Sequence, residues 1–398
     1  MIEKSISAIS YIITLILLNC INFRMYKTVL NPLFLLSVPF SIIILCCVLF
    51  NDYMNFLPFH FESLWIWIGG LCVFFIGGTV NNLFFKKKMY LNKTIRKISF
   101  PEKHYQLFIV IFLLCLIIAF FKFHSLSFNL IDEIGSKELG DEIGSGGFVG
   151  RASNIILMSI PFFVVYKMPR IVKTPIFLIL IFITISLGSK TWITYALVAS
   201  FLIYSSSNWK IKPRLIFIIL FLLVLSFFLY YKLNTSIDDA NSFLGFAGRH
   251  LYFYITSGAL PMGKVYQNDF QAEEVVFPFI RLFNIWMGRT GIFHSSNLVT
   301  TDLTLGTDSN VFTFFGSLFL SKSLFDFVFY SFLSGFISYL VFELYRLSKE
   351  NIFLGIAWGY TGAILFFGWY NWGFGLLRIW EIYFYCIVFS AISNYRIR

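Results

Sequence analysis

Apolar residues run in long stretches along this chain, and polar residues gather in the breaks between them. Eleven such stretches stand out: Ser5 to Phe23, Pro32 to Phe50, Ser63 to Phe85, Tyr105 to Phe121, Ala152 to Tyr166, Thr174 to Gly188, Thr191 to Tyr204, Leu215 to Tyr231, Leu324 to Tyr345, Ile352 to Phe367 and Leu376 to Ile392. A helix rises about 1.5 Å per residue, so roughly 20 apolar residues cover the ~30 Å hydrocarbon core of a bilayer. A transmembrane barrel would instead show alternating segments of about ten residues, and none are visible here. The pattern predicts an all-α polytopic membrane protein with about 11 transmembrane helices, forming a single integral membrane domain over residues 1–398. No internal repeat or inverted symmetry is visible, which weighs mildly against a transporter.

Composition sharpens this. Only 13% of the 398 residues are charged, about half the fraction of a soluble domain. The net charge of +11 raises nucleic-acid binding as a function, and the placement of the basic residues removes it. Nineteen of the 31 lie in one alternate set of loops: Arg24 and Lys27; the run Lys86 to Lys103; Lys167, Arg170 and Lys173; Lys210, Lys212 and Arg214; Arg346 and Lys349; Arg396 and Arg398. An excess of Lys and Arg marks the cytoplasmic side. The N-terminus is then outside and the C-terminus inside. The cytoplasmic loops are short, and two outer segments are long, about 122–151 and 232–323. The six cysteines all fall in apolar runs and read as small buried hydrophobes. The first run lacks a small-residue cleavage pattern and reads as a true span.

Chemistry must then sit outside or within the membrane. The later long segment carries Arg249-His250, Tyr252, Tyr254, Arg281, Arg289, His294, Asp302 and Asp308. It is too rich in Phe, Ile, Leu and Trp to be disordered. Its Arg and His residues either build a site or face lipid headgroups. Lys190 lies in Gly188-Ser-Lys-Thr191, between two runs of about 15 residues, each covering only about 22 Å. An ammonium there takes an anionic partner or a water-filled cavity, or else snorkels to the headgroups; the short runs favour the cavity. Arg378 and Glu381 stand three apart on the last run, spaced to form an ion pair on one helix face. The five histidines show no metal-ligand spacing, and no phosphate-binding glycine loop is present. No cofactor is expected. With no nucleotide on the outer side, an activated lipid-linked donor is the natural energy source.

Three segments carry a resemblance to a known family. Gly-Arg-His-Leu-Tyr-Phe-Tyr-Ile-Thr-Ser-Gly-Ala-Leu-Pro (248–261), Asn-Val-Phe-Thr-Phe-Phe (310–315) followed by Leu-Phe-Asp (324–326), and Gly-Ser-Lys (188–190) together resemble the Wzy-type oligosaccharide repeat-unit polymerases, also called O-antigen polymerases. Lys190 stands where that family usually has Arg, and Phe312 where it usually has Tyr; Val328 follows Phe327 where Gly is usual. The resemblance implies a metal-independent membrane glycosyltransferase in the bacterial inner membrane, with a large late periplasmic loop. It would join undecaprenyl-diphosphate-linked oligosaccharide repeats at the periplasmic face, for lipopolysaccharide O-antigen or capsule. Lys190, Arg249, Arg281 and Arg289 would bind the diphosphate, with Lys190 and Arg249 on the same one. His250, His294, Asp302 and Asp308 would be alternative bases for the acceptor hydroxyl, and Tyr252 and Tyr254 would contact sugar. Partners would be membrane lipids and a chain-length regulator protein. An O-antigen ligase shares these features, and a repeat-unit flippase shares the composition but not the long outer segment.

Overall fold

The computed structural model describes residues 2–54, 56, 58–91, 105–126, 148–166, 168–186, 190–208, 221, 224–225, 227–228, 232, 240–263, 303–304, 308–309, 312–320, 323–349 and 351–394. Among them the chain is helical almost throughout. In order come α1 (Ile2–Tyr26), α2 (Pro32–Met54), α3 (Leu64–Leu91), α4 (Gln106–Leu126), α5 (Phe148–Val165), α6 (Arg170–Ser186), α7 (Lys190–Asn208), α8 (Ala240–Thr256), α9 (Phe314–Phe319), α10 (Leu324–Leu347), α11 (Ile352–Phe366) and α12 (Leu377–Asn394). Two strands, β1 (Leu303–Thr304) and β2 (Asp308–Ser309), pair antiparallel with Leu303 opposite Ser309.

Four stretches, Lys4–Tyr26, Pro32–Met54, Phe61–Phe84 and Leu324–Leu347, have 23 or 24 residues and are apolar enough to cross a membrane. Helices satisfy all interior backbone groups internally, which hydrocarbon requires. Every expected run but one carries a helix over most of its length. The exception, Leu215 to Tyr231, falls largely outside the described residues. Two differences bear on function. The segment 232–323 is not all connection, because it holds α8, a 17-residue helix. Its apolar residues are interrupted by Asn241, Arg249 and His250, so a hydropathy window passes over it. The helices flanking the Lys190 turn also outrun their apolar cores, with 17 residues in α6 and 19 in α7. At 1.5 Å per residue they reach roughly 26 and 28 Å, closer to a full crossing than the runs suggest.

The chain divides into two compact units, each drawing on separate parts of the sequence. The first comprises residues 1–88, 220–340 and 364–377; the second comprises 89–219, 341–363 and 378–398.

In the first unit α1 and α2 run antiparallel, tied by Tyr11 to Ser41 (2.9 Å), Asn19 Nδ2 to Ser37 Oγ (3.0 Å) and Asn22 to Asn31. The turn between them follows from its residues. Lys27 takes a left-handed conformation (φ 57°) that ends α1. Asn31 Oδ1 then accepts from Phe34 N–H (3.0 Å) as the N-cap of α2, and Pro32 occupies the first helical position. Helices α3 and α10 run parallel: Gly69 meets Phe327, and Gly78 meets Tyr339. Their backbones touch at Gly77 and Gly335, where an added Cβ would lie 2.2 Å from Phe332 O and 2.1 Å from Phe74 O. Small residues permit that approach in apolar helix pairs.

In the second unit α5 packs against α4, α6 and α7. Phe108, Phe162, Phe353 and Phe389 form an aromatic core. Buried polar groups are tied across helices by Tyr360 to Leu157 O (2.9 Å), Trp358 Nε1 to Ser206 Oγ (3.0 Å) and Asn351 Nδ2 to Ser390 Oγ (2.6 Å). Glu343 and Arg346 form an ion pair at 3.1 Å.

Candidate functional site

The first unit gathers its polar chemistry around α8. Arg249 is exposed, with its guanidinium 5.7 Å from the centre of the Phe56 ring. His250 is half-buried; its ring lies 4.0 Å from that of Phe246, and Nδ1 lies 3.1 Å from Phe246 O. A carbonyl only accepts, so in the neutral ring Nδ1 carries the proton and Nε2 the lone pair. Tyr252 and Tyr254 part company. Tyr252 is buried, and its hydroxyl donates to Asn51 Oδ1 and lies 3.3 Å from Cys46 O on α2. Tyr252, expected to contact sugar, has its phenol holding α8 against α2. Tyr254 is 36% exposed and keeps an accessible ring.

Beyond α8 the chain makes a buried turn, residues 257–261, leading to Met262 and Gly263. Here two of the family-like segments meet. Thr313 N–H donates to Gly258 O (3.2 Å), and the Thr313 hydroxyl donates to Met262 Sδ (2.9 Å). That hydroxyl also accepts from Trp67 Nε1 (3.2 Å) and from Gly316 N–H (3.1 Å), so Thr313 caps α9 and anchors α3 at once. The chain following α11 joins them: Phe314 N–H donates to Gly368 O (2.6 Å), and a Cβ on Gly258 would lie 2.4 Å from Trp369 O. Irregular backbone buried away from water needs partners within the protein, and these segments supply them to one another. Tyr370 lies in the same stretch after α11. Burial, and secondarily the nearby Tyr254 hydroxyl, push its phenol up to about 12, so it remains protonated and is no base. Asp326, in the other quoted motif, sits in the first turn of α10 behind Ser323, whose Oγ accepts from Asp326 N–H (3.2 Å). That is a helix-start role.

The remaining expected site residues are placed less fully. Arg281, Arg289, His294 and Asp302 lie outside the described residues. Asp308 lies in β2, with its backbone paired to Thr304, and its side chain is outside the described set. Lys190 is the first residue of α7, in the second unit, and its side chain is likewise outside that set. Arg249 and Lys190 thus belong to different units.

The second unit holds a polar cluster that sequence spacing misassigned. Arg378 and Glu381 do not pair with each other: among the described residues the ion pair within 4.0 Å is Arg346–Glu343. The Arg378 guanidinium lies 5.0 Å from the Trp192 ring centre, while Glu381 accepts from Asn154 Nδ2. Arg151, exposed in the first turns of α5, and Glu381 both exert their charge on the Tyr385 hydroxyl. The first turns of α5, α7 and α12 therefore share one end of this unit. Arg151, Asn154 and Trp192 went unnoticed in the sequence. The available signal was the spacing of Arg151 and Asn154, three apart at the head of an apolar run. No three His, Cys, Asp or Glu side chains group as metal ligands among the described residues.

A family model matches residues 55–398; its description is a family of unknown function (DUF6337). Neither a curated protein nor a solved structure matches the chain.

Proposed function

The chain belongs to that family of unknown function, and from its residues we propose that it polymerises undecaprenyl-diphosphate-linked oligosaccharide repeats at the periplasmic face of the bacterial inner membrane. The observation that carries the reading is the contact between the segments 248–261 and 310–315. They resemble the same family separately in sequence, and Thr313 joins them through Gly258 and Met262. A shared structural knot gives those residues a reason to co-occur. The charge pattern of the loops supports placing this end of the first unit on the periplasmic side.

In this reading the acceptor hydroxyl of the newest lipid-linked unit attacks the anomeric carbon of the growing chain. The glycosidic bond forms as the bond to the carrier diphosphate breaks, the hydroxyl proton passes to a base, and the diphosphate leaves with the electron pair. Arg249 is exposed and offers its guanidinium to phosphate oxygens, and charge on the leaving group is where stabilisation counts most. Lys190, Arg281 and Arg289 are proposed alongside it. His250, with its lone pair on Nε2, is the base candidate whose geometry is described; His294, Asp302 and Asp308 remain its alternatives. Tyr254 offers a ring to a sugar face.

Deletion of the gene followed by electrophoresis of surface glycan tests the reading. Single repeats on the surface support the polymerase. Polymer left on the lipid carrier would instead indicate a ligase, and loss of all repeats from the surface a flippase; either outcome overturns the proposal.

A further inference from the structure

The polar cluster of the second unit has a composition that neither packing nor helix capping accounts for. It sits at the first turns of three helices, α5, α7 and α12. Arg378 is half-buried and its described partner is an aromatic face, not a carboxylate. The Glu381 charge acts on it from beyond 4.0 Å, but no described anion accepts from its N–H groups, which is costly for a half-buried guanidinium, and a ring at 5.0 Å offsets only part of that cost. Asn154 is 2% exposed; its Nδ2 donates to Glu381, and its Oδ1 has no partner. The carboxylate fixes which way the amide faces, because only the nitrogen can donate. The orphan is therefore an acceptor, and buried acceptors without donors are rare.

These demands differ in kind. Arg378 and Arg151 call for anionic oxygens. Asn154 Oδ1 and the Glu381 carboxylate call for hydroxyl donors. An inorganic anion meets the first demand and repels Glu381; a neutral polyol meets only the second. We infer that the first turns of α5, α7 and α12 form a binding site for a phosphate-bearing lipid headgroup that carries hydroxyls next to its phosphate. The phosphate takes the Arg378 fork, with Arg151 adding charge from the open side. The adjacent hydroxyls donate to Glu381 and to Asn154 Oδ1. Trp192 holds Arg378 in place from behind. Helix starts lie at headgroup depth in a spanning bundle, and their free N–H groups favour an anion. Two sources share this chemistry: a bulk lipid such as phosphatidylglycerol, and the sugar end of a lipid-linked glycan. The inference rests on the second unit alone and does not need the polymerase reading.

The test uses full-length protein in a neutral polyoxyethylene detergent and three short-chain probes, with dissociation constants read by native mass spectrometry. Dioctanoyl phosphatidylglycerol and glucosyl farnesyl diphosphate carry phosphate and hydroxyls; dioctanoyl phosphatidylmethanol carries phosphate alone. Both hydroxyl-bearing probes should bind at least about tenfold tighter than phosphatidylmethanol, the scale of one or two hydrogen bonds to a charged group. Whichever of the two binds more tightly identifies the source. Arg378→Gln should weaken all three about tenfold or more. Glu381→Gln should strengthen phosphatidylmethanol, by removing a like charge, and shrink the advantage of the hydroxyls, which lose a charged acceptor. If Arg378→Gln does not yield monodisperse protein, Arg378→Lys keeps the charge, loses the fork, and should bind several-fold more weakly. Equal retention of all three probes by the wild-type protein overturns the inference. So does unchanged binding in a monodisperse Arg378 variant.

Discussion

Arg249 lies on an exposed face of α8, and its described contact is the Phe56 ring. Its removal should therefore leave the fold intact. Arg249→Ala should reach normal levels in the membrane while long glycan chains fall by about 10- to 100-fold, the range expected for losing one charge-assisted contact. Lys190→Ala should do the same, and Lys190→Arg should retain polymer. Normal polymer from Lys190→Ala at full expression would remove that residue from the site. The two tyrosines of α8 should behave oppositely. Tyr252→Phe removes the hydroxyl that donates to Asn51 Oδ1 and should cost about 0.5–1.5 kcal/mol, lowering the thermal midpoint in detergent. Tyr254→Phe should leave that midpoint unchanged, and matching losses in both variants would contradict the burial difference between them. Sequence could place both tyrosines only within the long segment 232–323. Which of them faces α2 depends on a partner two hundred residues earlier.

At the scale of elements, the prediction concerns the knot beyond α8. Gly258→Ala places a Cβ 2.4 Å from the Trp369 carbonyl, where backbone on both sides resists movement. Gly248→Ala, ten residues earlier within α8, meets nothing within 4 Å and should gain up to about 1 kcal/mol of helix stability. Protein yield and thermal midpoint in detergent should fall for the first and hold or rise for the second; the reverse order would refute the contact. Thr313→Val belongs to the same element. It keeps the shape but strands the Trp67 indole N–H, at about 1–3 kcal/mol. Thr313 was visible in sequence only as one letter of a family-like string, suggestive of chemistry. Its structural work comes from a hydroxyl shared with a residue 246 positions away. The misread pair Arg378–Glu381 teaches the same lesson. Spacing of three residues permits a pair on one helix, but Asn154 and Trp192 come from other helices and compete for both side chains.

For the whole molecule, reporter fusions after Lys88, Lys173 and Lys212 should read as cytoplasmic, and those after Gly140 and Asp269 as periplasmic. The motive is the split of basic residues between alternate loops. A periplasmic signal at Lys88 would invert the map. The packing within each unit is consistent with that alternation, since α3 runs parallel to α10 and the heads of α5, α7 and α12 come together. Polymerisation from purified lipid-linked repeats should survive EDTA, because the proposed charge on the leaving diphosphate is met by Arg and Lys. Metal-reversible loss would sink that mechanism.

Sequence by itself determined that the chain is built of apolar helices and where most of them start and stop. Those features follow from local rules: the length of an apolar run and the energetic cost of polar backbone in hydrocarbon. Tertiary structure alone decided which helices share a unit and what each polar side chain does. It interleaved distant stretches of chain into two units, turned α8 inward through Tyr252, and left Arg378 on a ring with Asn154 unsatisfied beside it. The reason is that helix formation depends on neighbours within four residues, whereas the partner of a buried polar group is chosen by the three-dimensional path of the chain.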